Sequence, residues 1–247
     1  MFDKLFKRKG KNKNRDFTLE FNNLIKETLA KSLKEIGFKK QNNNFMRPLG
    51  DFTQVCNVQR SRYNHIGEIR FTINFGFFIP VVYSVLGDKT KLPSFPKTDD
   101  CHIDGRTGHL IYGTDYWYEL NEETSLETLT EQFKNDIKNH LIPMFQEIQT
   151  MDFLLNLIRT QYDKRKYYIS PLINAVIILE LEIGDFEIGK EKLISEYNET
   201  LIPKLVEGKR VYPDGTEEIM YSEFRVNEYA INRYKQLAER YKIELPK

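Results

Sequence analysis

The stretch Asn44–Phe78 reads NFMRPLGDFTQVCNVQRSRYNHIGEIRFTINFGFF, and its pattern decides the fold class. Within it Ile69, Phe71, Ile73, Phe75 and Phe77 alternate with Glu68, Arg70, Thr72 and Asn74. Successive side chains of a strand point to opposite faces. The run is therefore a half-buried antiparallel strand with one apolar and one polar face. Phe52–Arg60 alternates in the same way, and a turn near Asn64–Gly67 joins the two runs. A short strand near Phe45, ending at the Gly50-Asp51 turn, completes a three-stranded meander.

Upstream, Asp16 has the character of a helix N-cap. Phe21, Leu24, Ile25, Leu29, Leu33 and Ile36 follow at helical spacing, and Gly37-Phe38 reads as the stop. This helix is expected to pack across the apolar face of the meander. Downstream, Pro80, Pro93 and Pro96 predict a loop over residues 80–100. Gly108–Tyr112 and Tyr116–Leu120 predict a second hairpin across Gly113-Thr114-Asp115. Thr124 and Glu127 form a capping-box pattern for a helix with inner face Leu126, Leu129, Phe133, Ile137 and Leu141, ending at or just past Pro143.

From Met144 onward the reading is helical: 152–162, 171–183, 186–206 and 223–241, with a hinge at Gly184-Asp185 and a turn at Pro213-Asp214-Gly215. The expectation is an α+β protein: a flexible basic tail over residues 1–15, and an antiparallel sheet of about five strands covered by helices over 16–143. An all-helical C-terminal annex packed on that domain then spans 144–247.

The chain has 247 residues, 40% of them hydrophobic and 30% charged, so it can bury a core without disulfide or metal support. Two cysteines make no disulfide framework. The longest apolar run, Ala175–Leu179, is too short to span a bilayer, and Phe2–Arg15 has no apolar core of a signal peptide. A cytoplasmic protein is expected. Seven basic side chains fall in residues 1–15 against Asp3 alone, while the whole chain carries +1, so the body is acidic on balance. A body of that sign argues against a nucleic-acid-binding domain. Phe2, Leu5 and Phe6 beside the lysines suggest weak contact of the tail with an anionic membrane surface, the plainer reading being a solvated terminus.

Several ordered segments together resemble a known family. They are LKEIGFKKQNNNFMR, NVQRSRYNHIGEIRFTINFGFFIP, Cys101 followed by Arg106-Thr107-Gly108-His109-Leu110, Trp117-Tyr118-Glu119-Leu120, and Leu141-Ile142-Pro143. Across about residues 17–150 the chain resembles a bacterial family catalogued only as a numbered domain of unknown function, forty-three-oh-four. The resemblance implies a small α+β domain, a bacterial source and a helical C-terminal extension. It brings no activity, cofactor or catalytic residue with it.

Two constellations remain as candidates for chemistry. Cys101, His102, Asp104 and His109 are metal-ligand types, but their spacing matches no zinc signature, and the plain reading is a polar turn entering a strand. The same cysteine and histidines could form a nucleophile and base of a hydrolase. Cys56, at strand spacing with Phe52 and Val58, reads as a buried structural thiol. The second constellation is a surface. Asn57 and Gln59 share one strand face and Arg70, Thr72 and Asn74 share the next, with Arg106 and Trp117 near the second hairpin. Amides, a hydroxyl and guanidinium groups on a rigid sheet can orient a ligand or a partner protein. No Gly-rich phosphate loop, G-x-S-x-G elbow or H-E-x-x-H motif occurs. The reading is a binding module of the immunity or adaptor type, with no cofactor and a protein or small-ligand partner. A hydrolase or metal-dependent enzyme is the alternative.

Overall fold

A computed structural model describes residues 15–87, 91–160 and 169–246. The basic tail and its membrane contact fall, up to residue 14, outside the described residues. The chain forms two compact units that divide after Ala175.

In the first unit the Asp16 carboxylate accepts a 3.0 Å hydrogen bond from the Leu19 amide and starts helix α1 (Phe17–Ile25). The helix passes through a π turn at Lys26–Ala30 into α2 (Lys31–Glu35). Gly37 (φ +92°) then turns the chain, and the Phe38 amide donates 3.0 Å back to Leu33 O, the expected glycine stop.

Among the described residues the sheet has seven strands rather than about five: β1 (Lys39–Gln41), β2 (Asn44–Pro48), β3 (Thr53–Arg60), β4 (Glu68–Phe78), β5 (Ile103–Arg106), β6 (Tyr118–Asn121) and β7 (Ser170–Pro171). All its pairings are antiparallel. Strand β4 is the spine. One edge pairs with β3 along its length, and the other is shared, with β6 on Glu68–Phe71 and β5 on Asn74–Phe77. The two added strands, β1 and β7, are three and two residues long, too short to show as alternation in sequence.

The apolar face of β4 is buried as its alternation predicted. Phe71 meets Phe21 of α1 edge-on at 5.1 Å and Phe133 of α5 (Leu126–Asp136) at 5.5 Å. Ser125, not Thr124, caps α5, accepting from the Thr128 amide. This helix does not stop at Pro143. It continues through a π turn at Ile137–Leu141 into α6 (Ile142–Glu147), with the Ile142 amide donating to Ile137 O. The register slip puts Pro143 in the first turn of the new segment, where its missing N–H costs little.

Two further expectations are corrected. Residues 80–100 are not a bare loop: Pro80 opens helix α3 (Pro80–Gly87), as proline does at a first helical position. The strand expected at Gly108–Tyr112 is helix α4 (Thr107–Tyr112), closed by Gly113 at φ +70°. A Cβ at Gly108 would lie 2.4 Å from Tyr116 N, so glycine there lets the helix sit directly on the next loop. The sheet unit also runs past residue 143. Phe145 and Ile148 are fully buried, α7 (Met151–Arg159) follows, and Ser170 pairs with Asp104 in the sheet.

Helix α8 (Ile173–Glu182) contains the boundary between units. The second unit continues with α9 (Phe186–Leu201), capped by Asp185, and ends with α10 (Glu228–Tyr241). Between them the region is not helical but a hairpin, β8 (Lys204–Val211) and β9 (Glu217–Arg225). The helix expected to reach Val206 stops at Leu201 because Pro203 holds Ile202 in extended backbone (φ −78°, ψ 116°). Among the described residues no helix is long and apolar enough to cross a membrane.

Candidate functional site

The polar face of the sheet is organised by strand register. Asn44, Asn57, Asn74 and Arg106 stand in line across β2, β3, β4 and β5. Since paired residues of neighbouring strands project to the same side, this row meets on one surface. Asn74 Nδ2 donates to Asn57 Oδ1 (3.0 Å) and to Gln59 Oε1 (2.8 Å). Arg106 Nε donates to Asn74 Oδ1 (3.0 Å), and its Nη2 lies 3.4 Å from Gln59 Oε1. The other end of the guanidinium pairs with Asp115, and its plane sits 5.2 Å from the Trp117 ring. Trp117 Nε1 donates to the second Asp115 oxygen at 3.2 Å. The hydrogen bond from Arg106 holds the Asp115 carboxyl below the usual range, with Trp117 adding to it.

Of the surface residues expected from sequence, Asn57, Gln59, Asn74, Arg106 and Trp117 thus form one connected network. Arg70 and Thr72 do not join it. Arg70 Nε lies 2.9 Å from Glu119 on β6. Thr72 is fully buried and donates to Tyr116 O at 3.1 Å, because the 113–117 connection covers that part of the face.

Beside the network opens a pocket of about 480 Å³ whose wall includes Gln59, Asn74, Arg106, Asp104, His109 and Cys101. The two sequence candidates therefore share one pocket, with Cys101, Asp104 and His109 placed in it and His102 outside its lining. Among the described residues no group of three or more His, Cys, Asp or Glu side chains is placed to hold a metal ion. Cys101 is buried against Gly76, and burial with Asp104, Asp100 and Asp99 around it pushes its thiol pKa far up, the reverse of an activated thiolate. Desolvation also raises the Asp104 carboxyl, an effect Arg106 partly offsets. Cys56 lies fully buried in the core as expected, its thiol raised by desolvation.

Two polar clusters escaped the sequence reading. Arg47 and Gln54, paired in register between β2 and β3, point into the core. Arg47 donates to Gln54 Oε1 (2.9 Å), Ile36 O (2.8 Å) and Phe145 O (2.5 Å), and stacks over Phe38. Gln54 Nε2 donates to Phe145 O (2.9 Å) and Ile148 O (2.5 Å). Together they cap the carboxyl ends of both helical rods under the sheet. A signal existed: each polar residue occupies an inward position of its strand, in phase with Phe45 and Phe52. The second cluster is Asp136, buried on α5, which accepts from Tyr112 (2.6 Å) and Tyr118 (2.7 Å).

The family described as Domain of unknown function (DUF4304) has a model that matches residues 29–147, the segment holding β1 to β6 and the network. Residues 29–147 carry a domain of this family. The comparisons with curated proteins and with solved structures give no match. The DUF4304 segment supplies every member of the Asn57–Gln59–Asn74–Arg106–Asp115–Trp117 network, whereas Ser170 on the pocket wall comes from beyond it.

Proposed function

We propose that the protein is a non-enzymatic binding module of a bacterial cytoplasm, of the immunity or adaptor type, and that the network beside the pocket is its recognition surface. One observation carries this reading. A chain of amides, a guanidinium, a carboxylate and an indole is fixed by hydrogen bonds on a rigid sheet, yet stays at the surface beside a pocket of about 480 Å³. That volume lies in the range of ligand sites, and prearranged polar groups fix orientation at little entropic cost. It fits a polar side chain of a partner protein or a small polar ligand. The burial of Cys101, which pushes its thiol pKa up, favours binding over nucleophilic catalysis as the pocket's use.

The test is capture from native lysate with the tagged full chain, wild type beside an Asn74→Ala, Arg106→Ala double variant. Stoichiometric recovery of one partner by wild type, lost with the variant, is the expected result. Equal recovery by both proteins would place recognition elsewhere on the molecule.

A further inference from the structure

The β8–β9 hairpin is built unlike the rest of the chain. Both edges of its sheet are unpaired among the described residues. Large apolar side chains project from it into solvent: Leu205 at 52%, Val211 at 64%, Ile219 at 57% and Phe224 at 72% exposure. A lone two-stranded hairpin is at best marginal in water, and an exposed apolar edge strand is a template for another strand. What pairs with it is written in β8 itself.

Strand β8 is self-complementary when read antiparallel about Gly208. Glu207 then faces Lys209 of a second strand and Lys209 faces Glu207, so one register makes two opposite-charge pairs. Leu205 faces Val211 twice, and Val206 faces the aliphatic stem of Arg210. Glycine faces glycine at the axis. There a Cβ could not be accommodated even within one copy, because the Tyr221 ring would lie 2.1 Å from it. The other edge is poorer: Met220 is an extra residue between Tyr221 and Ile219, a bulge that breaks the regular spacing of β9. β9 also carries Glu217, Glu218 and Glu223 against a single arginine, Arg225, so two copies of it would repel.

We infer that β8 is a homodimerisation strand, pairing antiparallel with β8 of a second copy of this chain to give the four-stranded sheet β9–β8–β8–β9. The contact is isologous, so it closes at two copies. It is independent of the pocket in the first unit.

The test is sedimentation of the full chain and of two charge reversals. Wild type sediments at twice the 29.4 kDa of one chain. Glu207→Lys sets lysine against lysine at both symmetric positions, and Lys209→Glu sets carboxylate against carboxylate. Each alone raises the dimer dissociation constant about tenfold or more. An equimolar mixture of the two variants restores complementary pairs and sediments as a heterodimer. A hairpin merely unfolded by the charge change would not recover on mixing. A wild-type monomer throughout the micromolar range, an unchanged constant for Glu207→Lys, or a mixture that stays monomeric would each overturn the inference.

Discussion

Replacing Arg47 by methionine tests whether its guanidinium ties the two helical rods to the sheet. The change keeps an unbranched apolar stem and removes three donated hydrogen bonds, to Ile36 O, Phe145 O and Gln54 Oε1. Phe145 O keeps its bond from Gln54. Gln54 Oε1 loses a donor inside the core and the part-buried Ile36 O loses another, and each such loss costs up to about 1–3 kcal/mol. Part of that is offset, because burial already disfavours the charged guanidinium, as the downward shift of its pKa records. The thioether also keeps apolar contact with Phe38. The expected net loss is about 3 kcal/mol, a large share of the roughly 5–15 kcal/mol that holds a typical domain. Trp117 is the only tryptophan and lies in the first unit, so its fluorescence during urea unfolding reports that unit. With a slope of about 2 kcal/mol per molar urea, the midpoint should fall by about 1.5 M. Adding Gln54→Leu should be non-additive with it, since the two side chains bond each other and share Phe145 O as an acceptor. A midpoint drop under about 0.5 M, or full additivity of the two changes, would refute the capping role.

Three further outcomes are expected. Gly76→Ala puts a methyl 2.9 Å from Cys101 Cβ and Sγ, which should cost about 1–3 kcal/mol and be partly rescued by Cys101→Gly; a neutral substitution would show that Cys101 moves aside freely. Neither thiol should react with an aromatic disulfide reagent in native protein, since Cys56 and Cys101 are both buried with raised pKa values; prompt labelling of one equivalent would revive the nucleophile reading. Burial and then Asp136 push the Tyr112 hydroxyl up to about 12 and Tyr118 further the same way. A raised folded pKa means stability is intact below the unfolded value near 10 and is lost as pH rises through 12, and Tyr112→Phe should flatten that fall; tyrosinate absorbance rising in one step near pH 10 would contradict it.

The conformations of the local elements were legible because their causes are local. Alternation around Phe71 marks a two-faced strand, Asp16 supplies a cap oxygen, and Gly37 tolerates the positive φ that ends the first rod. Misreadings arose where the same local signal serves two structures. Gly108 and the residues after it suit a strand, but contact with the Tyr116 backbone selects a helix. The helix expected over 186–206 ran through Pro203, which breaks it, and the strand after it follows from pairing with β9.

The sequence by itself determined that a polar face exists, because period two places Asn57 and Gln59 on one side of β3 and Asn74 on one side of β4. It could not determine which of those groups would meet. That required register, which lines up Asn57, Asn74 and Arg106 from strands far apart in the chain. It also required the covering segment at Tyr116, which buries Thr72 and leaves Asn74 at the surface. Strand pairing is fixed by contacts between distant residues, and no window of sequence contains both partners. The site is therefore a product of tertiary structure: the sequence put Asn57, Gln59 and Asn74 on strand faces, and folding brought Arg106, Asp115 and Trp117 to them.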